Sequence, residues 1–382
     1  MSKKSTKETV GTSEFMSKFF KSNKDYHYNY EETAKPYVVS TGSLILDQFV
    51  GGGLGAGLQR FIGCNEGGKT NEALHVMKNM LETVEKTKGL YIKAEGRLSE
   101  DIQKRSGLKF VTDPEDWELG NCLVWECNIY DVVFDGLREL LKNNPDKEKF
   151  CIVIDSMDSL LPKSDLEKTT SDAAKVAAGA SLTSDFLKRV SLGMGKFGHM
   201  CIMISQVRST IKTSQYAASD PNNQTNSSGG NAALHYPDWI INFERRNQSD
   251  LILQDQKARP SPENSIIGHY AKVHIQKSTN ESTGMRIRYP IKHGRTDGKS
   301  IWIEREIIEM LLMWNFIEKA GSWFKIDDEL IKYLADRGVE VQEKYQGMKS
   351  LYDLLENKKQ QKECTCLLLR IFLYDFSDDN WS

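Results

Sequence analysis

The sequence predicts an α/β fold: a mostly parallel central sheet flanked by helices, preceded by an N-terminal helical arm and followed by a small C-terminal domain. Three observations predict it. Apolar strand-like runs alternate with helical stretches between residues 36 and 300. A glycine-rich loop, Gly63 to Thr70, joins one such strand to a helix. A second apolar strand ends on Asp155. Alternation of this kind yields parallel strands with helices on both faces, and such sheets bind ligands beyond the carboxyl ends of their strands.

The chain has 382 residues, room for about two domains at ~150 residues each. Its formal net charge is −2 and 39% of its residues are hydrophobic. A wholly disordered chain is excluded by that apolar fraction, and a uniformly basic nucleic-acid coat by that charge. Any nucleic-acid binding must sit in local patches or loops. No run reaches the ~18 apolar residues of a membrane helix, and the N-terminus lacks the apolar centre of a secretory signal. A cytoplasmic protein with no membrane partner is expected. The cysteines, Cys64, Cys122, Cys127, Cys151, Cys201, Cys364 and Cys366, are scattered as reduced thiols are. Cys364 and Cys366 lack the spacing of a zinc site.

Residues 1–34 are polar and lysine-rich around one aromatic knot, Phe15, Phe19 and Phe20. Phe15 and Phe19 stand four apart and so share one face of a short helix. Two readings stand: a tail folded on its own domain, or an oligomerisation arm docking on a neighbouring subunit. The core over 35–300 carries strand-like runs at Leu58–Ile62, Gly89–Ile92, Leu123–Trp125, Cys151–Ile154, Cys201–Ile204 and Trp239–Phe243. Helices are expected between them, for example over Thr70–Thr87 and Val132–Asn143. The polar stretch 209–230 is too long for an ordinary connection, which marks it as functional or disordered. Residues 301–382, with Trp302, Trp314 and Trp323, read as the small C-terminal domain, ending in an acidic segment.

The strongest chemical signal is Gly63-Cys64-Asn65-Glu66-Gly67-Gly68-Lys69-Thr70, a G-x4-G-K-[ST] phosphate loop followed by Asn71. Backbone amides at the start of a helix form an anion cradle. Lys69 would reach the β- and γ-phosphates of ATP, and Thr70 would ligate Mg²⁺. The strand ending at Asp155 fits the acid that holds the Mg²⁺ shell, although buried strands also end on aspartate as a helix cap. Glu95 ends the run LYIKAE and is placed to orient an attacking water; its alternative is a solvated strand-end acid. Gln206 ends the run CIMISQ, where an amide would sense the γ-phosphate and pass its state to the polar loop.

These motifs, with Ser40-Thr41-Gly42-Ser43-Leu44, Ile204-Ser205-Gln206-Val207-Arg208, Gly229-Gly230-Asn231-Ala232 and the run from Phe316 to Trp323, occur in the order seen in the RecA family. Residues 40–325 resemble that family, and Ser17-Lys18-Phe19-Phe20 is similar to phage recombinases of the UvsX type. The resemblance implies a RecA-like P-loop NTPase core: a DNA-dependent ATPase that forms helical filaments on single-stranded DNA and exchanges strands. It makes Glu95 the residue that activates water and Gln206 the γ-phosphate sensor. It implies DNA-binding loops at 167–180 and 209–230, with Lys188, Arg189, Arg208, Lys212, Gly229, Gly230 and Asn231 contacting DNA. Lys277 matches a lysine that reaches ATP from the adjacent protomer, and Ile102 stands where the family stacks a tyrosine on adenine. The implied partners are single-stranded and double-stranded DNA, further copies of the chain, and single-strand-binding and mediator proteins. A phage-encoded member would work in the host cytoplasm or nucleoid.

The chain also departs from the family. Thr279 replaces the second basic residue of the inter-subunit pair, Lys93 replaces an acid beside the catalytic glutamate, and Cys64-Asn65 replace a Pro-Glu pair. These touch turnover and base selectivity rather than ATP binding. The other readings to weigh are a RecA-core hexameric helicase or ring motor, and a nucleotide-switched filament or mediator with little hydrolysis.

Overall fold

The computed structural model describes residues 11–23, 33–96, 98–165, 177–209, 225–227, 232–255, 261, 264–356 and 358–374. The chain divides into two compact units, Met1–Lys35 and Pro36–Ser382. The first contains helix α1 (Thr12–Ser22). Phe15 and Phe19 stack there with ring centroids 6.3 Å apart, as their spacing requires, and Lys18 pairs with Glu14 one turn earlier at 2.7 Å.

The second unit opens with α2 (Leu44–Phe49), β1 (Gly57–Gly63), α3 (Lys69–Thr83), β2 (Thr87–Lys93), α4 (Glu100–Ser106), β3 (Phe110–Val111), β4 (Cys122–Glu126), α5 (Tyr130–Lys142) and β5 (Lys149–Asp155). It continues with α6 (Ala177–Phe197), β6 (Met200–Ser209), β7 (Thr225–Ser227), α7 (Ala232–His235), β8 (Trp239–Phe243), β9 (Leu251–Leu253), β10 (Ile266–Lys277) and β11 (Arg286–Lys292). The C-terminal part holds α8 (Ile303–Met313), β12 (Ile317–Ala320), β13 (Trp323–Ile326), α9 (Asp328–Ala335), β14 (Lys344–Gln346), α10 (Gly347–Glu356) and α11 (Lys358–Tyr374).

The large sheet has the order β11-β10-β8-β1-β6-β5-β2-β4-β3, with β7 paired to β6 and β9 to β10. From β8 to β3 every neighbouring pair is parallel; β10 and β11 add an antiparallel edge. Central strands buried on both faces need apolar side chains at every position. Along β5, Cys151 and Val153 join one core with Ala73, Leu74 and Met77 of α3. Phe150, Ile152 and Ile154 join the other, with Val133 and Leu137 of α5 and Leu187 and Val190 of α6. Successive side chains of a strand point to opposite faces, so one apolar run binds helices on both sides. A third core under β12, β13 and β14 gathers Ile307, Leu311, Phe324, Leu330 and Leu351, and takes in Leu44 of α2.

Three element boundaries differ from expectation. The helix predicted over Thr70–Thr87 ends at Thr83, because Val84 turns extended, Lys86 takes φ 55° and Thr87 already begins β2. Strand β2 stops at Lys93, two residues short of Glu95. Strand β6 runs three residues beyond Gln206, where β7 pairs with it. A partner strand supplies hydrogen bonds that no local pattern announces. Most of 167–180 and 209–230 lies outside the described residues.

Three buried carboxyl groups lie near one another on α2, α3 and α8. Glu306 of α8 accepts from the Ser43 hydroxyl at 2.5 Å and from the Leu44 and Ile45 amides at 3.1 and 3.0 Å, at the start of α2. Asp47 accepts from the Thr41 amide and hydroxyl, both at 2.7 Å. Glu72 of α3 accepts from the Tyr289 hydroxyl at 2.8 Å, and its other oxygen has no hydrogen-bond partner among the described residues. Burial above all pushes Asp47 up to about 6, Glu306 to about 7 and Glu72 to about 8; Asp47 contributes to the rise of Glu306 and Glu72, and Glu306 to that of Glu72. Folded values above the unfolded ones mean that the native state holds protons the unfolded chain has released. The stability these three groups contribute therefore falls as pH rises from about 5 to 8. Glu72→Gln should flatten that slope and stabilise the protein by on the order of 1 kcal/mol at the alkaline end, read as thermal midpoints across pH. A slope as steep as the parent's would refute the assignment.

Candidate nucleotide-binding site

The parallel register gathers the chemistry at one edge of the sheet. Gly63 of β1 stands beside Gln206 of β6 and Phe243 of β8, and Lys93 of β2 beside Asp155 of β5. The loop after β1 can only be glycine-rich. Gly63 has φ 143°, and a Cβ there would meet the Phe243 carbonyl oxygen at 2.2 Å. Gly68 opens α3 with φ 105° and faces open space, as a backbone cradle for an anion must.

Lys69 is buried, and its ammonium donates to the carbonyls of Gly63 at 3.0 Å and Cys64 at 2.7 Å. Burial holds it below the ordinary lysine range, against the pull of Asp155, Cys64, Asp158 and Glu95. The Thr70 hydroxyl donates to the Asp155 carboxylate at 2.7 Å, and the Tyr91 hydroxyl donates to the same oxygen at 2.8 Å. Burial raises Asp155, and these hydrogen bonds oppose the rise. An adjacent hydroxyl and carboxylate form a hard oxygen donor set, suited to Mg²⁺.

Glu95 follows β2 and accepts from the Ser156 hydroxyl at 2.6 Å, from the Ser159 hydroxyl, and from the Gln206 side-chain amide at 2.5 Å. Partial burial raises its carboxyl, but Ser156, Ser159, Lys69 and Gln206 outweigh that and leave it below the usual range. Glu95 is therefore an ionised carboxylate held in a fixed orientation. The backbone amide of Gln206 donates to Asp158 at 2.5 Å, so that residue is held at both ends. Ser156, Ser159, Asp158 and Tyr91 join this cluster although no site prediction named them. The signal for the first three was their place directly after Asp155; Tyr91 carried none.

A cavity of about 620 Å³ lies along the phosphate loop from Glu66 to Asn71 and is walled by Ile102, Arg105, Tyr289 and His293. Ile102 sits in the first turn of α4, where Ser99 caps its amide. Asn71 reaches Ser300 across the cavity at 3.3 Å. Cys64, Asn65 and Glu66 line an adjoining recess with Gln206. The residues predicted for nucleotide and metal thus come together, apart from Lys277. That residue pairs with Ile240, which pairs with Arg60, three positions before Gly63. It lies about 10 Å back along the sheet from the loop, at ~3.3 Å per residue. Its ammonium donates to the carbonyls of His235 and Pro237, the latter at 2.6 Å.

Of the residues predicted for DNA, Lys188 and Arg189 are exposed on α6, and Arg189 pairs with Asp185 at 2.9 Å. Arg208 lies in β6 beyond Gln206. Lys212, Gly229, Gly230 and Asn231 fall outside the described residues. Among the described residues, no helix is long and apolar enough to cross a membrane.

A family model described as the RecA N-terminal domain matches residues 26–283. The chain is similar to Protein RecA of Mesoplasma florum, 27% identical over 310 residues, which covers 80% of this chain and 81% of that one. Protein RecA of Cereibacter sphaeroides is 25% identical over 297 residues, 76% of this chain and 75% of its own. Protein RecA of Cytophaga hutchinsonii is 27% identical over 294 residues, 76% and 72% of the two chains.

The close approach at Gly63 makes a direct forecast. Gly63→Ala should cost about 2 kcal/mol or more, because the new methyl group meets backbone that cannot yield, and nucleotide binding should weaken with it. Chemical denaturation measures the first and calorimetric titration with ATP the second; a variant as stable as the parent would count against the loop geometry.

Proposed function

Because the chain belongs to the RecA N-terminal domain family, we propose that it is an ATP-dependent recombinase, which forms helical filaments on single-stranded DNA and pairs that strand with homologous duplex DNA. The observation that carries this reading is the hydrogen bond between Gln206 and Glu95 beside the phosphate loop. It joins the acid that would act on water to the strand that leads into the polar stretch 209–230.

Bound ATP with Mg²⁺ supplies the transferable phosphoryl group and neutralises its charge. The loop amides cradle the phosphates, and Lys69 turns from its own loop carbonyls towards them. Thr70 and Asp155 would hold the metal. Glu95, kept ionised by Ser156 and Ser159, orients the attacking water. Gln206 trades Glu95 for the phosphate end of the nucleotide, and that exchange shifts β6 and the DNA loop beyond it. The chain acts through a two-state element of this kind only if nucleotide binds one state better than the other.

Lys277 lies too far back along the sheet to serve its own phosphate loop, which suits a role at the nucleotide of a neighbouring copy. Residues 1–34 act as the assembly arm through Phe15, Phe19 and Phe20; 35–300 form the ATPase core, and 301–382 the C-terminal domain. DNA contacts fall to Lys188, Arg189, Arg208, Lys212, Gly229, Gly230 and Asn231, with single-strand-binding and mediator proteins as further partners in the cytoplasm.

Electron microscopy of the protein with single-stranded DNA and a non-hydrolysable ATP analogue should reveal helical filaments, shortened by Phe19→Ala with Phe20→Ala; closed rings would sink the recombinase reading in favour of a motor. Glu95→Gln should slow DNA-stimulated hydrolysis by about 100-fold or more while nucleotide-dependent DNA binding persists. Undiminished hydrolysis in that variant would remove Glu95 from its role.

A further inference from the structure

Glu244, Arg245 and Arg246 follow β8, immediately past the residue that pairs with Gly63. Arg246 is half-buried and lines both cavities of the site: the one of about 620 Å³ that runs along Glu66–Asn71, and the adjoining one of about 780 Å³ lined by Cys64, Asn65 and Gln206. Arg246 therefore stands where the two meet.

The other cations lining the cavity of about 620 Å³ are already engaged. Lys69 donates to the loop carbonyls, Arg105 pairs with Asp101 at 2.9 Å, and Arg295 with Glu304 at 3.0 Å. Lys292 lies over the Trp302 ring, 4.8 Å from its centroid. Arg246 has no hydrogen bond or ion pair among the described residues. Glu66 shares both cavity walls with it but makes no ion pair with it. Asp250, which also acts on this corner, is committed to Lys272 at 2.8 Å.

What faces Arg246 is a pair of imidazoles. His269 Nδ1 and His293 Nε2 share a hydrogen bond of 2.8 Å, one ring donating to the other. Burial, then Arg246 and His293, push His269 down to about 4, and burial, Arg246 and Arg105 lower His293 as well. Both rings are neutral at physiological pH, so they offer the guanidinium a fixed backing and no counter-charge. A cation partly withdrawn from water without a partner is costly unless a ligand brings the anion.

We propose that Arg246 binds a phosphate oxygen of the nucleotide seated on the phosphate loop, with the His269–His293 pair as its support. This rests on the nucleotide-site reading above. A guanidinium and a phosphate form short, charge-assisted hydrogen bonds in a fork geometry that lysine does not reproduce. The ligand is a nucleotide phosphate rather than a nucleic-acid backbone, because Arg246 shares its cavity with the loop amides and Lys69.

Calorimetric titration of the full chain with ATP and Mg²⁺ tests this, with Lys69→Ala as the reference. Arg246→Gln removes no partner among the described residues and should keep the parent's thermal midpoint, while ATP affinity falls about 10–100-fold. Arg246→Lys should recover part of the loss, and ADP should lose less than ATP. If Lys69→Ala loses binding while Arg246→Gln binds ATP within about twofold of the parent, the site stands and the role of Arg246 is overturned. If Lys69→Ala also binds normally, the nucleotide-site reading falls and takes this one with it. A loss confined to DNA binding would likewise overturn it.

Discussion

The parallel pairing of β1 with its neighbours is the constraint on which the rest depends. It sets Gly63 beside Gln206 on one side and Phe243 on the other, and the β5–β2 pairing sets Asp155 beside Lys93. Parallel strands end together, so loops far apart in sequence must meet at one edge. The apolar alternation along β5 and β6 enforces that register: a slip by one residue would exchange the faces that bind α3 with those that bind α5 and α6.

Two kinds of electrostatics operate around that edge. At the nucleotide edge, ionised groups face one another with partners in place: Lys69 with loop carbonyls, Glu95 with two hydroxyls and an amide. Behind α3, Asp47, Glu72 and Glu306 are withdrawn from water near one another, and their protons stay on at higher pH. The first arrangement favours charge where a phosphate and a water would be handled. The second holds the phosphate-loop helix to β11 and the start of α2 to α8 through groups that prefer to be neutral. Both follow from burial, with hydrogen bonds deciding the sign.

Much of the site was legible because its chemistry is local. Gly63, Gly68, Lys69 and Thr70 must be consecutive to build an amide cradle at a helix start, and Asp155 must close an apolar strand. Less was legible where partners come from elsewhere. Ser156 and Ser159 belong to Glu95 only because β2 and β5 are neighbours, and Tyr91 reaches Asp155 across the same pair. Gln206 looked like a strand end because the pairing of β6 with β7 cannot be read from either segment alone.

By itself, then, the sequence determined the α/β class, the phosphate loop, the acids that flank it and the family, since each is written in short-range spacing or in motif order. The tertiary structure alone decided that Lys277 sits back from its own loop, that Arg246, unpaired among the described residues, lines two cavities, and that three acids share one buried space. The physical reason is that charge and burial depend on what long-range packing brings near, and a side chain's partners are not set by its neighbours in the chain.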